Sequence, residues 1–183
     1  MGIAVHEENL GCDFCWMTDS PMIRSNVWAV MALVAHQTQR LRVGTGVAVP
    51  GLRLALMAAN GIAKIKRLVP GRCFIGLGTG NIAMRMLGHP PAKVAEFKEF
   101  IRVVGALLRG EEVDFTLDGV THPITFANTD LGYINSEDRN TDPCRRVWTA
   151  CAGTCRRIGR RTYHGFAARR YDFAVARQCA AWG

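Results

Sequence analysis

In Gly71-Arg72-Cys73-Phe74-Ile75-Gly76-Leu77-Gly78-Thr79-Gly80-Asn81, an apolar run passes straight into alternating glycines and ends on polar residues. A strand that stops this way presents a binding face. A missing Cβ lets a flat or anionic group come close to the backbone.

Two earlier stretches share the pattern. Phe14–Thr18 ends in Thr18-Asp19-Ser20, and Leu41–Val47 carries Gly44-Thr45-Gly46. Each of the three is followed by a helical period. Val27, Val30, Met31 and Val34 mark a helix over roughly Arg24–Arg40. Leu52, Leu56, Ala59 and Ala63 mark one over about Arg53–Lys66. Val94, Phe97, Ile101, Val104 and Leu108 mark one over about Ala92–Leu108, closed by Gly110. A strand-to-strand repeat of about 30 residues is the length of a βαβ unit. Apolar strands alternating with helices predict an α/β fold, a parallel sheet covered by helices. Ligands of such folds bind at the carboxyl ends of the strands, where all three polar ends meet. Ile3–Leu10 reads as an earlier helix. Val113–Leu117 and Val120–Phe126 flank Asp118-Gly119, a strong hairpin signal. From about Asn140 onward the periodicity is poor, and the reading assigns no element there.

The composition narrows the class. The chain has 183 residues, enough for one core, and a mean hydropathy of +0.05. No apolar run reaches the ~20 residues that span a bilayer. Met1–Cys15 contains His6, Glu7, Glu8, Asn9 and Asp13, unlike a secretory leader. The expectation is a cytoplasmic protein with no membrane partner and with reduced thiols among its seven cysteines. The net charge of +8 invites a nucleic-acid reading, but its distribution opposes it. Residues 143–183 hold nine Arg, one acid and no Lys, and the remaining fourteen bases are matched by fourteen acids. Four of the seven Cys lie in the same tail. A basic Arg-tail protein that binds nucleic acid is the alternative, and strong salt dependence would mark it.

Among candidate residues, Asp19 has two readings. It accepts hydrogen bonds from a ligand or acts as a general base, or it is a turn or cap residue before Pro21. Gly44 and Gly46 line the face or relieve crowding at a bulge. Gly76-x-Gly78-x-Gly80 falls short of a dinucleotide fingerprint, because Asn81 stands where a third glycine is needed. Cys12-Asp13-Phe14-Cys15 enters a strand and lacks a second pair, so it reads as structural rather than as a metal site. His89 reads as a solvated loop residue, Glu96 and Glu99 as a solvated helix face.

Four segments in this order resemble the bacterial luciferase-like monooxygenase family, which includes FMN-dependent monooxygenases and coenzyme F420-dependent reductases and dehydrogenases. They are NLGCDFCWMTDSP, TQRLRVGTGVAVP, KRLVPGRCFIGLGTGN and FIRVVGALLRGEEV. The likeness is nearest to the methylenetetrahydromethanopterin-reductase branch and runs from about Val5 to Arg139. It implies a partial (β/α)8 TIM barrel of three to four strand–helix units with a β-hairpin insertion. It implies hydride transfer between F420 or FMN and a small-molecule substrate at the barrel mouth, and often a homo-oligomer. It implies a cis peptide at Gly46-Val47 behind the ring. It implies a catalytic position for Asp19 and cofactor contacts for Ser20, Gly46, Val47, Thr79 and Gly80, with no metal.

Residues 1–139 form the family-like part and residues 140–183 an Arg/Cys-rich tail. After Arg139 the family has a strand of the type I-P-V-Y-V-A-G, where this chain reads Asn140-Thr141-Asp142-Pro143-Cys144. Read one nucleotide later, codons permitted from Asn140 can spell I-P-T-R-A-G-G-F-G-P. The expectation is an out-of-frame, disordered tail and a truncated, inactive fragment without the cofactor's phosphate site.

Overall fold

The computed structural model describes residues 2–133, 147–149 and 173–176. Helix α1 (Gly2–Asn9) precedes strand β1 (Phe14–Met17). Then come α2 (Val27–Gln37), β2 (Arg42–Thr45), α3 (Ala55–Leu68) and β3 (Cys73–Leu77). A short helix, α4 (Asn81–Met86), separates β3 from α5 (Val94–Leu108). Strands β4 (Val113–Leu117) and β5 (Val120–Ile124) form an antiparallel hairpin. Two further strands are β6 (Val147–Thr149) and β7 (Phe173–Ala176).

The five-stranded sheet runs in the order β6-β3-β2-β1-β7. Strands β1, β2, β3 and β6 are parallel, and β7 is antiparallel to β1. The three strand–helix units and the hairpin lie where the sequence puts them. The last two strands correct the reading that residues beyond about Asn140 contribute no element. Each is only three or four residues long, too short for periodicity to register. The rest of the expected out-of-frame tail lies outside the described residues.

The helices cover one face of the sheet. Val27, Met31 and Val34 of α2 are buried there with Phe97, Ile101, Val104 and Leu108 of α5. Asn26 caps α2, its side chain accepting from the N–H groups of Trp28 (3.1 Å) and Ala29 (3.2 Å). Two expected core positions move. Val94 opens α5 and is exposed. In α3 the buried stripe runs through Ala55, Ala58, Ala59, Ile62, Ala63 and Ile65, and Leu56 lies at its margin. The hairpin turns at Asp118 (φ 51°) and Gly119 (φ 81°), as a two-residue turn requires. It reaches the core only through Val113, Phe115 and Ile124, with Phe126 just beyond.

A carboxylate secures the end of the sheet opposite the strand carboxyl ends. Glu8 of α1 accepts from the backbone N–H groups of Gln39 (3.0 Å), Arg40 (2.6 Å) and Leu41 (2.7 Å), just before β2. Burial alone would raise its pKa. The three N–H groups and the Arg40 charge outweigh that and hold the carboxyl below its usual value. Arg72 donates to the carbonyls of Leu41 (2.9 Å) and Ala35 (3.2 Å) at the same end.

Candidate functional site

Strands β1, β2 and β3 end side by side, and the ladder between β2 and β3 breaks there in a defined way. Gly44 is opposite Phe74, and Ala48 bridges Leu77. Four steps along β2 therefore match three along β3. The extra residue is a bulge at the carboxyl end of the sheet. Within it the Thr45 hydroxyl donates to the Gly76 carbonyl (2.8 Å) and accepts from the Gly76 N–H (3.0 Å). Main-chain pairing resumes where Ala48 N–H donates to Gly76 O (2.7 Å) and Gly78 N–H donates to Ala48 O (3.1 Å). The Gly46–Val47 peptide is cis, the geometry the family resemblance implies.

Gly76 and Gly78 make room for the neighbouring strand. A Cβ on Gly78 would lie 2.5 Å from Val47 Cγ2, and one on Gly76 would collide with the Thr45 carbonyl oxygen. The gaps along β3 are therefore filled by the bulge of β2. They let two backbones and Val47 close up, and Val47 keeps a half-exposed outer surface. Gly46 N–H donates to Met17 O (2.7 Å), which ties the bulge to the end of β1. Gly80 takes a left-handed φ of 80° and starts α4, whose Met84 N–H donates back to Gly80 O. Thr79 O accepts from Ala92 N–H (2.9 Å) and fixes the approach to α5.

At the end of β1, Asp19 is 3% exposed and ion-paired. Arg53 Nη2 lies 2.7 Å from Asp19 Oδ1, and Arg53 Nε donates to Oδ2 at 3.2 Å. This forked pair ties the end of β1 to the segment entering α3. Ser20 O accepts from the N–H groups of Ile23 and Arg24 and starts a tight turn. Thr18 Oγ1 is buried and has no hydrogen-bond partner among the described residues. Buried polar atoms are almost always satisfied, so this hydroxyl marks a candidate contact for a ligand or a water.

The structure thus brings Gly46, Val47, Thr79 and Gly80 together with the end of β1, and sets Asp19 against Arg53 at the rim. Sequence reading missed three contributors. Arg53 lies 34 positions from Asp19 and carries no local signal. Thr45 sits inside the quoted Gly44-Thr45-Gly46, but only the three-dimensional offset shows its hydroxyl bridging strands. Thr18 stands next to Asp19, yet nothing in its spacing says that it lacks a partner among the described residues. His89 is exposed in the loop after α4, as expected. Cys12 and Cys15 are buried, the Cys12 thiol donating to the Glu7 carboxylate at 3.5 Å, and desolvation, then the nearby Cys12 and Glu7, pushes Cys15 up to about 12.

The chain is 33% identical over 116 residues to the 5,10-methylenetetrahydromethanopterin reductase of Methanolobus tindarius, covering 61% of this chain and 34% of that protein. It is 36% identical over 95 residues to the F420-dependent glucose-6-phosphate dehydrogenase of Mycobacterium avium, covering 48% of this chain and 28% of the other. The matched region spans about a third of these relatives' length. Among solved structures, the F420-dependent tetrahydromethanopterin reductase of Methanopyrus kandleri superposes with a TM-score of 0.64 at 21% identity, over 82% of this chain and 45% of that one. An FMN complex of the oxygenating constituent of the 3,6-diketocamphane monooxygenase from Pseudomonas putida superposes at 0.62 and 14% identity, over 81% and 44%. At these identities the superpositions speak for the fold alone. Residues 1–170 match the luciferase-like monooxygenase family model, and the chain belongs to that family.

Proposed function

We propose that this chain carries the ring-facing part of an F420- or FMN-dependent oxidoreductase site, at the carboxyl ends of β1, β2 and β3. The observation that carries the reading is the bulge at Thr45–Val47, which sets Val47 over the glycine end of β3. The residues present fit one side of a planar ring. Val47 offers an apolar, half-exposed surface, and the buried Thr18 hydroxyl, unpartnered among the described residues, is a candidate to hydrogen-bond a ring or substrate oxygen. When bound, the cofactor supplies hydride acceptance and donation. Gly46 and Val47 back the ring, and Thr79 and Gly80 line the same mouth. Ser20 and Asp19 border the substrate side. With both carboxylate oxygens on Arg53, Asp19 acts as a rim anchor.

The anionic ends of FMN and F420 need cations or N–H arrays. Arg53, the guanidinium described at this rim, is already neutralised by Asp19. The reading therefore expects recognition of the ring without recognition of the phosphate. Titration of the full chain with riboflavin, FMN and F420, followed by fluorescence, tests it. Riboflavin and FMN should bind within about threefold of each other, a difference of well under 1.4 kcal/mol. FMN binding tighter than riboflavin by about a hundredfold would show a built phosphate site, and binding of none would overturn the reading. Residues 140–183 are further proposed to be out of frame with the family-like part, against a family match that runs on to residue 170. The nucleotide sequence through codon 140 decides this, and an early stop in the shifted frame ends the idea.

A further inference from the structure

We propose that Thr45 is a positioning residue, whose hydroxyl replaces a missing main-chain rung between β2 and β3 and so sets where Val47 meets the ring. The ring part of this inference rests on the function proposed above. A bulge leaves the partner strand with main-chain groups that no regular rung reaches. Here the group at stake is the Gly76 N–H. Thr45 Oγ1 accepts from it at 3.0 Å. The Gly76 carbonyl is served twice, by Ala48 N–H at 2.7 Å and by the same hydroxyl at 2.8 Å. A hydroxyl has one proton and two lone pairs, so it alone among small side chains fills both roles at once. Thr45 is fully buried, and no bulk water substitutes for it.

The consequence for the site is geometric. A Cβ at Gly76 would collide with the Thr45 carbonyl oxygen and would lie 3.7 Å from Val47 Cγ1. A Cβ at Gly78 would sit 2.5 Å from Val47 Cγ2. Val47 thus occupies the groove that the two glycines leave, two residues after the hydroxyl that pins the bulge to Gly76. Remove the hydroxyl, and the Gly76 N–H is left buried and unpaired. The bulge then gains by shifting toward any other acceptor, and Val47 shifts with it.

The test uses the full chain and two substitutions. Thr45→Val keeps shape and removes the hydroxyl, and Thr45→Ser keeps the hydroxyl. Amide hydrogen exchange at Gly76 reads the rung, and fluorescence titration with FMN and F420 reads the site. T45V should speed Gly76 exchange and weaken cofactor binding by about tenfold each, while T45S stays within about threefold of wild type in both. A purely stabilising role would lower the denaturation midpoint without a selective change at Gly76. That result, or T45S behaving like T45V, overturns the proposal. If T45V does not fold, T45S decides alone: Gly76 must stay protected without the methyl. If the wild type binds neither cofactor, the functional reading fails, and exchange at Gly76 still decides the role of Thr45.

Discussion

Arg53 and Asp19 show how much a single pair fixes at the rim. The carboxylate is nearly inaccessible, and the guanidinium side chain is 22% exposed. Removing one partner of such a pair leaves the other charge desolvated, whereas removing both relieves it. Arg53→Met should cost about 3 kcal/mol in urea denaturation, and Asp19→Asn combined with Arg53→Met should recover much of that loss. Equal losses in the single and double variants would show that the pair contributes little. Glu8 offers a pH-dependent counterpart at the opposite end of the sheet. Its folded-state pKa is depressed from the ordinary 4.5, so its contribution is complete above that value. It is lost as pH falls through the lower folded value, because the unfolded chain binds the proton first. Glu8→Gln should therefore cost about 1–3 kcal/mol near neutral pH, with the gap to wild type closing below about pH 4.5. A gap that stays constant into acid would rule out the charged form as the stabilising one. Neither Arg53 nor Glu8 was legible as a partner in the sequence. Their partners lie more than thirty positions away, and charge pairing at that distance leaves no periodic trace.

Elements were more legible than partners, because their signals are local. The i, i+3, i+4 stripes of α2 and α5 and the Asp-Gly turn of the hairpin are each written within a few residues. Where the stripe was read wrongly, small residues are the cause. In α3 the buried face is mainly alanine, and leucines at the margin gave the stronger hydrophobic signal. Helix α4 has only six residues, too few for a period. The start of α2 rests on Asn26, whose side chain satisfies two otherwise unpaired N–H groups of the first turn. Asn26→Ala should lower stability by about 1 kcal/mol, read as a fall in the urea midpoint at unchanged m-value, and Asn26→Asp should retain most of it. A loss in Asp as large as in Ala would place the effect outside the cap.

Across the whole molecule, the sheet separates two kinds of packing. Cys15, Met17, Val43, Ile75 and Leu77 face the helices. On the opposite face, Phe14 stacks on Trp16 (ring centroids 5.5 Å apart), Phe74 meets both edge-on, and Arg42 lies over Phe14 at 5.3 Å. Strand order beyond β3 is not legible in the residues, since β6 and β7 join opposite edges from a stretch without periodicity. Strand β2 is central, with β1 and β3 paired to its two sides, so exposing its amides requires opening the sheet itself. The β4–β5 hairpin is a two-stranded ribbon with most of its residues exposed, held to the core chiefly through Val113, Phe115 and Ile124. A ribbon with so few anchors opens without unfolding what it rests on. Native-state hydrogen exchange should then find the hairpin amides of Phe115 and His122, a hydrogen-bonded pair of the ribbon, exchanging at least about a hundredfold faster than Val43 in β2. Low denaturant should leave the hairpin rate nearly unchanged while accelerating Val43, because local opening exposes little new surface and sheet opening exposes much. Equal protection and equal denaturant sensitivity at the two places would mean that hairpin and sheet unfold as one cooperative unit.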